Sequence, residues 1–290
     1  MDSLADRAMR REVPSRAEAL AVLSDDGEIC TTHTFCSGSS SPTWRFGWPS
    51  DNFEVDRKAG KTVNDALGDV MTHDIVWENR RFLQRAVRFM AESGIDQFVD
   101  LGTGLPTQGN VHEIAQRANP GARVVYVDYD PIVLAHGRAL LADNDTTTVI
   151  TADMRDPDAV LNHPEMVSFI DFSRSVAVLS VAVLHFIPDS DDPSGIVRRF
   201  RGAMAPGSCL ALSHLTTSGP PAGEVDQVVE VYKNATSPIV FRSREVIETF
   251  FAETELVDPG LVRPWQWRPD GTESPQTDWL YAAVGRIPAR

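Results

Sequence analysis

Cysteine is scarce in this chain of 290 residues: Cys30, Cys36 and Cys209 form an odd, sparse set. Such a set excludes a disulfide framework and suits a reduced, cytoplasmic setting. Long apolar runs are missing too. The longest, residues 176–187, is too short to span a bilayer and reads as buried strand, so no membrane association is expected. The opening MDSLADRAMRREVPSR lacks the apolar stretch of a secretory signal. Basic residues are outnumbered, with 27 Lys and Arg against 41 Asp and Glu and a formal net charge of −14. That field repels phosphate backbones and argues against a nucleic-acid partner; the excess acid reads as a solubilising surface. The sequence holds no Gly-x-Ser-x-Gly elbow, no P-loop and no His-Glu-x-x-His. Cys30, His33 and Cys36 offer three soft ligands, but no fourth partner accompanies them and their spacing matches no common finger, so no metal is expected.

What is present is an ordinary globular composition, 42% hydrophobic and 23% charged. Residues 1–50 show no sustained period and read as a flexible arm around the low-complexity SGSSSP at 37–42. Residues 51–94 read as a helical cap. In it, Ile75, Val76, Phe82, Leu83, Ala86, Val87 and Met90 recur at mostly three- and four-residue spacings, predicting a helix over 72–93 that Gly94 ends. From residue 95 to 290, short apolar runs alternate with helices. Strands are expected at 98–102, 124–128, 149–153, 177–184 and 209–214, with helices at 111–118, 131–142 and 193–204. This alternation predicts an α/β Rossmann-like domain, mostly parallel with helices on both faces. An insertion at about 215–243 carries one apolar helical stripe, Val225, Val228, Val229 and Tyr232. Late strands at 256–262 and 279–284 are expected to make a closing antiparallel edge.

Chemistry concentrates where strands end. Asp100-Leu-Gly102-Thr-Gly104 runs a strand straight into a glycine turn, which lets the backbone approach a ligand closely. A nicotinamide loop reads G-x-G-x-x-G, whereas here the third glycine falls at Gly109. The acid two residues before the first glycine suits a ligand with an amine better than one with phosphates, and S-adenosylmethionine is such a ligand. Asp128 ends the second strand, where a carboxylate accepts from ribose hydroxyls, and nearby Asp130 reads as the N-cap of the helix opening at Pro131. Asp153 and Met154 follow the third strand, placed for the amine and the ring face of adenine; Asp153 alone would equally cap a turn. His185, just past the fourth apolar run, is the catalytic candidate, as general base or substrate-positioning residue, with a plain strand-end histidine as the alternative. Asn79, Arg80 and Tyr232 are the candidates for the acceptor pocket, with exposed helix surface the alternative for Asn79 and Arg80.

The blocks FVDLGTGLPTQGNVHEIAQ, VVYVDYDPIVLAHGRALL, TADMRDPDAVL, VAVLHFIPD and DNFEVDRKAG resemble an actinobacterial family of class I S-adenosylmethionine-dependent methyltransferases formerly catalogued as a domain of unknown function. The likeness runs from Asp51 to Arg286. It implies a seven-stranded sheet and carries cofactor roles onto Asp100, Gly102, Gly104, Asp128, Asp153 and Met154. It implies no substrate. Just before Asp51 the chain departs from the family, reading Ser41-Pro-Thr-Trp-Arg-Phe-Gly-Trp-Pro-Ser50 in place of a Tyr-Asp-Tyr-rich glycine segment.

Together these observations predict methyl transfer from S-adenosylmethionine to a small or medium-sized acceptor. A protein that binds S-adenosylmethionine without turnover, as sensor or partner subunit, is the alternative. An NAD-dependent oxidoreductase is disfavoured by the displaced third glycine and by Asp100.

Overall fold

The computed structural model describes residues 69–104, 109–131, 133–134, 145–233, 237–271 and 275–289. The arm, the first part of the expected cap and the Cys30–His33–Cys36 group lie outside the described residues. The first helix described, α1, spans Asp69–Glu92. Its stop is local: Gly94 takes φ 93°, and the Ile95 N–H turns back to the Met90 carbonyl at 3.2 Å.

Seven strands follow in one sheet, β1 Gln97–Leu101, β2 Arg123–Asp128, β3 Thr147–Thr151, β4 Ala177–Val181, β5 Cys209–Leu215, β6 Glu255–Leu256 and β7 Leu280–Arg286. They lie in the order β3-β2-β1-β4-β5-β7-β6. The first five run parallel, and β7 enters antiparallel between β5 and β6. The expected antiparallel edge is therefore present, with its first strand only two residues long.

Period-two alternation sorts each strand between two cores. Phe98, Val124, Tyr126 and Leu179 meet one helical layer, α1 with Phe82, Ala86 and Met90 and α2 (Val111–Ala118) with Ile114 and Ala115. The part of the expected cap that is described thus packs directly on the sheet. Val99, Val125, Val127 and Val178 meet the other layer, built by α3 (Pro157–Leu161), α4 (Pro164–Phe169), α5 (Pro193–Ala203) and α7 (Arg244–Thr249). The sequence patterns had marked α2 and α5 but not α3 and α4, which at five and six residues are too short to show a helical period. The insertion helix α6, Ala222–Tyr232, lays Val225, Val228 and Tyr232 over the carboxyl edge, against Phe186, Leu215, Trp279 and Leu280. Among the described residues no helix is long and apolar enough to cross a membrane.

Two strands end earlier than their apolar runs suggest. β4 stops at Val181 because Ala182 turns to φ 56°, its N–H bonded to Ser213 Oγ at 3.0 Å; a 3-10 turn, Leu184–Phe186, follows. β3 stops at Thr151, so Asp153 sits in the turn beyond the strand. At β4 the apolar residues continue past the ladder because the turn they occupy, with Val183, Leu184 and Phe186, is itself buried.

Candidate functional site

The strand order reverses at β1, whose neighbours β2 and β4 are reached by crossovers of opposite direction, and open α/β sheets bind ligands in the crevice beyond that point. A cleft lies there. Its lining includes Gly102, Asp128, Tyr129, Asp153, Met154 and Phe186.

The glycine turn forms one wall. The Gly102 N–H donates to the Val127 carbonyl at 2.8 Å, continuing the β1–β2 ladder one step past the strand. Gly102 and Gly104 take φ 66° and 62°, where L side chains are strained. A Cβ on Gly102 would also overlap the Val183 side chain, which crosses from the β4 turn. Gly109 has a different task. Its N–H donates to Glu113 Oε2 at 2.9 Å, and Asn110 does the same at 3.2 Å, so this glycine opens α2 and grips no pyrophosphate.

Asp128 is the pivot. It is only 4% exposed; its Oδ2 accepts the Gly104 N–H at 2.7 Å and its Oδ1 the Asp130 N–H at 3.0 Å. Those bonds aim the carboxylate while leaving acceptor positions on both oxygens, since a carboxylate offers about four. Burial raises its pKa against the pull of these backbone donors. Asp130 accepts the Leu134 N–H on its carbonyl at 3.2 Å, as the residue opening the helix at Pro131.

Asp100 stands on the α1 side of the same edge. Burial lifts its carboxyl to about 7, with the Arg80 guanidinium pulling the other way and Asp128 adding to the rise. Arg80 therefore belongs beside Asp100, Tyr126 and Glu113, with Nη2 3.4 Å from Asn110 Oδ1. Asn79, one residue earlier, is buried and accepts from Ser213 Oγ at 2.5 Å. Through Ser213 it holds the Ala182 N–H and so the bend that carries Val183 and Phe186 to the cleft. Tyr232 packs its ring 5.9 Å from Phe186, within the apolar cluster behind the wall.

His185 is 4% exposed in the 3-10 turn, its ring 4.6 Å from Phe186 and 5.6 Å from His214, and its carbonyl takes the Val240 N–H at 2.7 Å. Its neighbours Val183, Phe186 and Ile187 line the cleft, and His185 is not among the described lining residues. His214 is neutral: burial pushes it down to about 3, with Nδ1–H facing the Leu215 carbonyl at 2.6 Å and Nε2 facing Arg242 at 2.7 Å.

Two arginines escape the sequence reading. Arg242, 5% exposed, donates to the Leu184 and Ile187 carbonyls at 3.1 and 2.8 Å and to Asp189 at 2.6 Å, tying the insertion to the cleft wall. Nothing in SPIVFR marks it. Arg155 lines the cleft and holds Asp153 in a bidentate pair, with Nε 2.9 Å and Nη2 2.6 Å from Oδ2. Burial raises the Asp153 pKa, but the Arg155 bonds outweigh it and the net shift is downward. The Asp-x-Arg spacing in ADMRD was its available signal.

A parallel sheet with an antiparallel seventh strand inserted before the sixth, and carboxylates at the ends of its first three strands, defines a class I S-adenosylmethionine-dependent methyltransferase. The donor set fits that cofactor: three acids at one sheet edge, suited to an ammonium, a ribose diol and an exocyclic amine, beside a left-handed turn at Gly102 and Gly104. The family model described as S-adenosyl methyltransferase matches residues 44–288, and the chain belongs to that family. The solved structure of a methyltransferase candidate from Thermobifida fusca YX is 43% identical over 82% of this chain and 90% of its own, with a TM-score of 0.76. A DUF574-family protein from Streptomyces avermitilis MA-4680 is 40% identical over 82% of this chain and 93% of its own, with a TM-score of 0.75. No curated protein matches the chain.

Proposed function

We propose that the cleft holds S-adenosylmethionine by three carboxylates and presents its methyl group to a small or medium-sized cytoplasmic acceptor. The observation that carries this is the convergence of Gly102, Asp128, Asp153 and Met154 on one cleft. Asp128 takes the ribose hydroxyls, and Asp153 with Met154 takes the adenine. Asp100 takes the ammonium of the amino-acid end. Arg80 lies beside Asp100, and we assign it the carboxylate of that same end in place of a part in the acceptor pocket. Bound there, the cofactor supplies an electrophilic methyl on sulfur, and alignment of the acceptor can contribute much of the rate. The chain's own part is to orient and to exclude water. Phe186, backed by Tyr232 and Trp279, gives the acceptor side an apolar wall. His185 packs beside Phe186, outside the described lining, and we assign it no proton transfer.

The electrostatics of Asp100 test this arrangement. An acid whose pKa is raised to about 7 is largely protonated at pH 6. Holding an ammonium requires the ionised form, so binding must expel that proton. Affinity for S-adenosylhomocysteine is expected to climb from pH 5.5 to 7, by up to about tenfold per unit below the pKa. Calorimetry in buffers of different ionisation heat should register proton release, and Asp100→Asn should flatten the profile. A wild-type affinity independent of pH across that window contradicts the Asp100 assignment.

A further inference from the structure

One guanidinium joins three walls of the cleft. Among the described residues, three N–H groups of Arg155 reach Asp153: the backbone N–H to Oδ1 at 2.9 Å, Nε shared between Oδ1 and Oδ2 at 3.0 and 2.9 Å, and Nη2 to Oδ2 at 2.6 Å. A carboxylate has about four acceptor positions, so Arg155 takes most of those on Asp153. The other amino group of Arg155, Nη1, lies 3.6 Å from Asp191. Asp191 ends the 3-10 turn Asp189–Asp191, shortly after the cleft-lining Phe186 and Ile187. Arg155 therefore reaches from the end of β3 to the loop after β4. Tyr129, on the wall after β2, is 42% exposed and close enough to act on the same charge.

We propose that Arg155 is a latch over the adenine end of the cleft, exchanged between Asp153 when the cleft is empty and Asp191 when a purine is bound. The proposal rests on the cofactor reading above. A purine amine that engages Asp153 competes with the Arg155 side-chain donors for the same two carboxylate oxygens. The release is easy. Both partners are partly solvated, with 52% and 36% side-chain exposure, and exposed ion pairs contribute little. A waiting partner is already near, since Asp191 needs a shift of under one ångström to reach hydrogen-bond distance. Arginine suits the task because its planar, weakly hydrated group stacks on flat rings as readily as it pairs with carboxylates. Closed on Asp191, it covers the open side of the site and slows escape.

The test uses the full chain and S-adenosylhomocysteine, with stopped-flow tryptophan fluorescence for rates and calorimetry for affinity. Arg155→Gln is expected to release the ligand roughly tenfold faster, the scale of one lost stacking and pairing contact. Asp191→Asn should show a smaller acceleration of the same sign. Added salt should speed release from the wild type more than from Arg155→Gln, because the closing pair is ionic. Both positions are surface ones, and unchanged thermal transitions would confirm folded variants. A release rate in Arg155→Gln equal to wild type overturns the latch while leaving the cofactor site intact. Failure of the wild type to bind S-adenosylhomocysteine at all overturns the cofactor reading, and the latch with it.

Discussion

Asp128→Ala is expected to weaken S-adenosylmethionine binding by roughly tenfold to a hundredfold, the loss of hydrogen bonds to a charged group at about 1.5–3 kcal/mol. The carboxylate is nearly buried and already aimed by the Gly104 and Asp130 N–H groups, so its free acceptor positions cannot be replaced by water without reopening the turn. Asp130→Ala should leave affinity nearly unchanged, because its side chain is not among the described groups lining the cleft. Calorimetric titration of the two variants separates them. Equal losses would mean that the diol is held elsewhere. A thermal scan run beside each titration guards against a folding defect, since Asp128 also ties the glycine turn to β2. Asp128→Asn keeps the shape and one acceptor oxygen, and should fall between wild type and alanine.

Gly102→Ala is expected to be strongly destabilising. Two costs add. At φ 66° an alanine occupies the left-handed region, at about 1–2 kcal/mol. Its Cβ would overlap Val183, whose backbone is fixed by the bend at Ala182 and the Ser213 bond, so overpacking adds about 1–3 kcal/mol. Denaturant unfolding should therefore show a loss of about 2–5 kcal/mol, together with loss of cofactor affinity. Val183→Ala in the same chain removes the worst of the overlap, leaving its own Cβ 2.8 Å away, and should restore part of the stability but not the strained φ. Gly102→Ala with wild-type stability would show that the turn is not constrained as described.

Much of this was legible in the sequence, for a physical reason. A parallel strand buried on both faces writes itself as a short apolar run, and FVDLG, VVYVD and CLALSH did so. The acids at their ends stood out because ionisable groups beside buried strands are costly unless used. The order of the strands was not readable from periodicity, and only the likeness to a family supplied their number. The end of β4 was hidden as well: Ala182, Val183 and Leu184 are as apolar as the strand, yet the chain turns there. His185 follows an apolar run, which makes it a catalytic candidate or a plain strand-end histidine; after the bend Phe186 lines the cleft and the His185 ring lies 5.6 Å from that of His214, an arrangement no periodicity shows. Arg80 illustrates a second limit. On a helix it reads as surface, and only the packing of α1 on the sheet brings it beside Asp100. Arg242 makes its contacts with residues 28 to 58 positions away, distances over which no local pattern operates.

The central claim is that three strand-end carboxylates and a glycine cradle form a site for an S-adenosyl amino acid and not for a dinucleotide. Isothermal titration of the wild-type chain with S-adenosylmethionine, S-adenosylhomocysteine, NAD and NADP tests it directly. Binding of the first two at a single site, with no heat from either dinucleotide, is the expected result. Tight binding of NAD or NADP, with none of either S-adenosyl compound, would contradict it.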